Sequence, residues 1–174
     1  PVEVIEQAFD EVVHSNPMSL LQYGPMQGDA RLAELTLERL VKTHKMNPEG
    51  QGLIISNGAG QLLGLVPITV LEPGDEVYMD EFTFTSAINS VRNMGGKALG
   101  IKTDEHGMIP SELEKAAQSG KGKYIYLIPN FQNPTGITMP LERRKEIYAI
   151  ASKYDLFIYE DDPYGEIRFA GEYI

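Results

Sequence analysis

Two apolar runs end in residues able to grip a planar, charged ligand. Tyr124-Ile125-Tyr126-Leu127-Ile128 leads into Pro129-Asn130-Phe131-Gln132-Asn133-Pro134-Thr135-Gly136, and Leu156-Phe157-Ile158-Tyr159 leads into Glu160-Asp161-Asp162-Pro163-Tyr164. A helix-length segment separates the runs, so both read as parallel-type strands. They deliver an amide, a carboxylate and a phenol from their C-terminal ends, the edge of an open α/β sheet where ligands bind. Pro134 restricts Asn133 to extended backbone and Gly136 lets the chain turn, which aims one amide at a fixed point. A carboxylate leaving an apolar strand is costly to bury without a cationic partner, and a protonated ring nitrogen is such a partner. The set suits a heteroaromatic group carrying a ring nitrogen and a ring hydroxyl. Glu160 and Asp162 flank Asp161, and alternation turns one of the three away from the other two; spacing does not choose among them.

A second motif, Ser56-Asn57-Gly58-Ala59-Gly60-Gln61, stands at a strand-to-helix turn. Small residues there let backbone N–H groups at a helix start approach an anion, usually phosphate. The same stretch, Gly58-Ala59-Gly60-Gln61-Leu62-Leu63-Gly64, also resembles a dinucleotide-binding glycine loop one residue out of register. Asp80 follows about twenty residues later, where a ribose-binding acid would stand. Phe84, just ahead of a helix, is placed to stack on a planar ligand or to pack beneath the sheet edge. His14, His44 and His106 lie far apart without metal-ligand spacing, and no metal site is expected.

These side chains are positioned by alternating strands and helices. Apolar residues recur with helical period over Val2–His14, and a second helix is expected over 30–45 with Asp29 at its N-terminus. Strands are expected at 53–56, 76–79, 98–101, 124–128 and 156–159. Helices are expected at 60–71, 85–94, 110–118 and 141–153, with turns at Glu72-Pro73-Gly74-Asp75 and Gly95-Gly96. Continuously apolar strands separated by helices mean a mostly parallel sheet covered on both faces, a three-layer αβα class. At 174 residues with 42% hydrophobic content the chain can bury a substantial core, and no apolar run approaches a membrane span. A net charge of −10 argues against a non-specific nucleic-acid surface. The absence of cysteine excludes disulfides and thiolate metal sites and is compatible with a cytoplasmic location.

Together the motifs resemble the class I/II pyridoxal-phosphate aminotransferases of the aspartate aminotransferase fold (fold type I), and the similarity runs in order along essentially the whole chain. The wording Glu160-Asp161-Asp162-Pro163-Tyr164 is closest to the branch of 2-aminoadipate, kynurenine and aromatic aminotransferases. The resemblance implies pyridoxal 5'-phosphate (PLP) as cofactor. It matches Gly58, Ala59 and Gly60 to the phosphate turn, and Phe84 to the aromatic that stacks on the pyridine ring. Asn133 and Tyr164 match the groups that bond the ring hydroxyl, and Asp161 the acid that pairs with the ring nitrogen. Tyr23, in Tyr23-Gly24-Pro25-Met26-Gln27-Gly28, matches a tyrosine that reaches the cofactor phosphate of a neighbouring subunit, which implies a homodimer. The sequence departs from the pattern at Ala59 and Gly60, where a hydroxyl or longer polar residue is usual, and at Phe82, which replaces a proline. Arg31 falls out of position for the arginine that follows the tyrosine loop, and no role is assigned to it.

The chain opens on Pro1 and closes on Gly171-Glu172-Tyr173-Ile174, and the expectation is a single, partial large domain. By resemblance the Schiff-base lysine falls past Ile174, as does the small domain, so no catalytic residue is expected within the chain and the fragment alone is expected to be inactive. The complete protein is expected to exchange amino groups between amino acids and 2-oxo acids. Two other readings remain at this stage: the PLP-binding, aminotransferase-like sensor domain of a MocR-type transcription regulator, and a Rossmann dehydrogenase resting on the glycine loop and Asp80.

Overall fold

The computed structural model of the chain describes residues 1–172 and 174, in two compact units, Pro1–Gly58 and Ala59–Ile174. In the first unit the helical period of the opening residues forms α1 (Val2–Ser15), and a short 3-10 turn follows at Pro17–Leu21. Helix α2 (Ala30–His44) starts at Asp29, whose carboxylate accepts the Leu32 N–H at 2.8 Å. That bond satisfies one of the donors a helix start leaves without a partner. Gly28 adopts φ +92°, and a Cβ there would run into the Ile55 side chain, so both backbone and space demand glycine.

The strand expected at 53–56 does not form. An apolar run becomes a strand only when a neighbour supplies a hydrogen-bond ladder, and none of the described residues of the first unit is in a strand. Ile55 N–H donates instead to the Gln27 carbonyl at 3.1 Å, and Ile54 stays exposed.

The second unit begins with α3 (Ala59–Val70) and then alternates strands and helices. In chain order these are β1 (Glu76–Asp80), α4 (Thr85–Asn93), β2 (Lys97–Ile101), the hairpin β3 (Thr103–Asp104) and β4 (Gly107–Met108), α5 (Pro110–Ala117), β5 (Gly122–Leu127), α6 (Leu141–Lys153) and β6 (Phe157–Glu160). The four longer strands make a parallel sheet in the order β2-β1-β5-β6. β1 is buried along its whole length, as a central strand covered on both faces must be, whereas β2 and β6 at the edges are partly exposed.

Period-two alternation sorts the strand side chains between two cores. Tyr78, Ile125 and Leu127 pack with Leu113 and Ala117 of α5 and with Ile147, Ile150 and Ala151 of α6. Val77, Met79, Tyr124, Tyr126 and Ile128 pack with Leu63 of α3 and with Ala87 and Val91 of α4. The αβα layering is therefore as expected. The small hairpin was not anticipated. It turns through Glu105 and His106 into Gly107, whose φ of +91° suits glycine, and Arg143 of α6 fastens it. Its guanidinium bonds both Asp104 carboxylate oxygens at 3.0 and 2.9 Å and the carbonyls of Gly107 and Met108 at 3.2 and 2.9 Å. The same hydrogen bonding holds the Asp104 carboxyl below its ordinary pKa.

Candidate functional site

Strand order reverses between β1 and β5. The chain leaves β1 toward β2 on one side and later fills β5 and β6 on the other, which opens a crevice at the strands' C-terminal ends. Three exits and one helix start meet there. β1 runs through Phe82 and Thr83 to Phe84, which stands in extended backbone immediately before α4. β5 runs through Ile128 to a tight loop, in which the Gln132 N–H donates to the Ile137 carbonyl at 2.8 Å and the Gly136 N–H donates to the Gln132 carbonyl at 2.6 Å. Within it the Asn133–Pro134 peptide is cis. β6 continues its ladder one residue further, with Asp161 N–H donating to the Leu127 carbonyl at 2.8 Å.

Ala59, Gly60, Phe84, Asn133, Asp161 and Tyr164 all line one cleft of about 280 Å³, together with Leu63, Ser86, Ile128 and Pro163. The Asp161 carboxylate is fixed from below by the Tyr126 hydroxyl, which donates to it at 2.6 Å. Burial, reinforced by that bond to a carboxylate, drives the Tyr126 phenol well above its ordinary pKa, so it remains a donor. Tyr159 holds the Tyr126 ring edge-on at a centroid distance of 5.6 Å. Asn133 and Tyr164 also border a second cavity, of about 400 Å³, with an apolar lining that includes Phe131, Pro134, Ile167 and Phe169.

Register settles the choice among the three acids. Asp161 faces the cleft, while Asp162 accepts from the Asn130 amide at 2.8 Å and from the Gly165 N–H at 2.9 Å. Asn130 in turn accepts from Arg144 at 2.8 Å. Glu160 bears on the same arginine, because its charge opposes the fall in pKa that burial imposes on Arg144. One acid turns to the cleft and the other two toward the half-buried Arg144 cation.

Tyr126 and Ser86 belong to the site and were not singled out from sequence. Tyr126 was signalled by alternation within β5, which puts it on the face of Tyr124 and Ile128; Ser86 carried no signal beyond its place in the first turn of α4. Tyr23 and Gly58 lie in the first unit. Tyr23 is fully exposed in its loop, and Gly58 adopts φ +91° with open space where a Cβ would stand. Asp80 does not fit a ribose-binding role. It is buried to 4% exposure on the same sheet face as Tyr78, and burial pushes its carboxyl up to about 6, with the Gln132 amide opposing and the Glu81 charge adding to the rise. Nor does a strand precede the glycine turn, as a dinucleotide fold requires.

A parallel sheet covered by helices on both faces, with a cleft at the C-terminal ends of its strands, defines an open α/β fold. The model of the aminotransferase class I and II family matches residues 1–173, and the chain belongs to that family. It is 32% identical over 177 residues to aromatic-amino-acid aminotransferase 1 of Thermococcus litoralis, covering 99% of this chain and 42% of that protein. It is 33% identical over 168 residues to the mouse mitochondrial kynurenine/alpha-aminoadipate aminotransferase, covering 86% of this chain and 40% of that one. The fold is similar to the crystal structure of Pyrococcus horikoshii kynurenine aminotransferase in complex with PMP, at a TM-score of 0.94 and 32% identity, covering 99% of this chain and 44% of that chain. The chain thus spans less than half the length of these relatives. These relatives are aminotransferases by name and give no support to the MocR or dehydrogenase readings.

Proposed function

We propose that the complete protein is a PLP-dependent aminotransferase that moves an amino group from an amino acid to a 2-oxo acid, and that this chain is the cofactor-holding part of its large domain. The observation that carries the reading is the position of Asp161: a carboxylate at the switch point of the sheet, pinned by a buried phenol and facing a cleft walled by Phe84, Asn133 and Tyr164. The donor set fits the cofactor. Asp161 offers an ion pair to a protonated ring nitrogen, Asn133 and Tyr164 offer donors to a ring oxygen, and Phe84 offers a flat apolar wall. The start of α3 at Ala59 and Gly60 presents backbone N–H groups suited to a phosphate, and the space beside Gly60 is open. The Ser86 hydroxyl, on the same cleft, is a further donor to that phosphate.

Bound in this cleft, PLP would supply an electron sink for the substrate. The chain's own part would be to keep that sink charged and correctly placed. Asp161 would pair with a protonated ring nitrogen, with Tyr126 holding the carboxylate in place. Asn133 and Tyr164 would donate to the ring oxygen, and Phe84 would lie against the ring. Among the described residues no lysine lines the cleft, so no covalent step is assigned to it.

The reading extends to a homodimer in the cytoplasm in which Tyr23, exposed on its loop, reaches the neighbouring subunit's phosphate. Exposure of Ile5 and Phe9 on α1 supports a partner surface there, and the lack of cysteine is compatible with a reducing compartment. Among the described residues no helix is long and apolar enough to cross a membrane. The test is a visible cofactor band in the complete protein that borohydride removes and that an amino acid shifts, followed by recovery with a 2-oxo acid. Asp161→Asn should retain part of the cofactor and lose at least about a hundredfold in turnover, because the ring nitrogen then loses its charge partner. Near-native turnover in that variant would sink the assignment of Asp161, and no band with any amino donor would sink the reading as a whole.

A further inference from the structure

The aromatic wall and the amide wall of the cleft come from different strand exits, and one side chain ties them together. Gln132 is 5% exposed. Its amide nitrogen donates to the Phe82 carbonyl at 2.6 Å, two residues ahead of Phe84. Its amide oxygen accepts from the Thr135 N–H at 2.9 Å and from the Thr135 hydroxyl at 2.7 Å, on the far side of Asn133.

We propose that Gln132 is a positioning residue that sets the separation of Phe84 and Asn133 across the cleft. Gln132 does not line that cleft itself. It acts through the loops that do: the β1 exit that carries Phe84 and the turn that carries Asn133. The inference rests on the proposed cofactor site, but the coupling of the two loops stands independently of any ligand.

The test uses the complete protein. Gln132→Met keeps the volume and removes every amide bond. It should weaken PLP binding about tenfold, the loss carried by one or two hydrogen bonds acting through position. Combined with Phe84→Ala it should cost little beyond Phe84→Ala alone, because with the ring gone its position no longer matters. In the cofactor-free protein, hydrogen exchange in segments 81–85 and 131–138 should accelerate together while β1 and β5 stay protected. Should Gln132→Met fail to fold, Thr135→Val gives a milder form of the same readout, since it removes the hydroxyl that holds the Gln132 amide oxygen. Native PLP affinity in the Gln132 variant, losses that add in full with Phe84→Ala, or exchange confined to one segment would overturn the proposal. If the native protein takes up no PLP while the two segments still open together, the cofactor reading falls and the coupling stands.

Discussion

Replacing Asp80 by Asn should make the fold more stable at pH 8 than at pH 5 relative to the native chain. Burial raises the Asp80 carboxyl from an ordinary 3.8 to about 6 in the folded state. The native state therefore binds more protons than the unfolded state between those values. Stability falls as pH rises through that window and is flat above it. The whole shift corresponds to about 3 kcal/mol at ~1.4 kcal/mol per unit, and the part falling between pH 5 and pH 8 is about 1.4 kcal/mol. Asn cannot ionise, so the variant lacks this dependence while keeping nearly the same shape. Its own unsatisfied amide group shifts the difference between the two proteins by a constant at every pH, which is why the slope and not the absolute stability is diagnostic. Chemical denaturation of the cofactor-free complete protein at pH 5, 6, 7 and 8, native beside Asp80→Asn, measures it. The variant-minus-native difference should climb by about 1.4 kcal/mol and level off above pH 7. Parallel stability curves would refute the reasoning, since Asp80 would then titrate as an ordinary exposed carboxyl.

Two further substitutions probe the support of the site and of the fold around it. Tyr126→Phe keeps the ring among Tyr124 and Tyr159 but deprives the Asp161 carboxylate of its donor; the cofactor-free protein should lose about 1 kcal/mol with no change in the denaturant slope, and an unchanged midpoint would show that water replaces the phenol at no cost. Arg143→Ala leaves Asp104 and the carbonyls of Gly107 and Met108 without their shared donor, for an expected loss of about 2 kcal/mol. That loss should be accompanied by faster hydrogen exchange in residues 103–108, and unaltered exchange there would show that the hairpin holds itself.

What could be read from residue order was whatever depends on local pattern. β1 and β5 are central strands buried on both faces, so their residues form continuous apolar runs, and turn residues mark where they stop. The helices declared themselves by period and by starts such as Asp29 and Pro110. The same reasoning overreached at 53–56, where an apolar run met no neighbouring strand. The hairpin over 103–108 escaped because its strands are two residues long, too short to show a period, and because its fastening comes from Arg143, far along the chain.

The site divides along the same line. Alternation showed that one of Glu160, Asp161 and Asp162 must face away from the other two, yet it could not say which of them faces the cleft. That follows from pairing, because β5 and β6 align Tyr126 with Tyr159. The Asp161 N–H then extends the ladder to Leu127, and its side chain rises beside the Tyr126 hydroxyl on the α3–α4 face. The next residue is turned to the opposite face, where Asn130 and Arg144 wait for it. A register slip of one residue would exchange these roles, offering Asp162 to the cleft and setting Asp161 against the arginine. The paired tyrosines thus select the acid that faces the cleft, and the arginine network secures the choice by satisfying its neighbours elsewhere. Gln132 obeys the same logic in the loops, since its bonds to Phe82 and Thr135 join the two strand exits that carry Phe84 and Asn133.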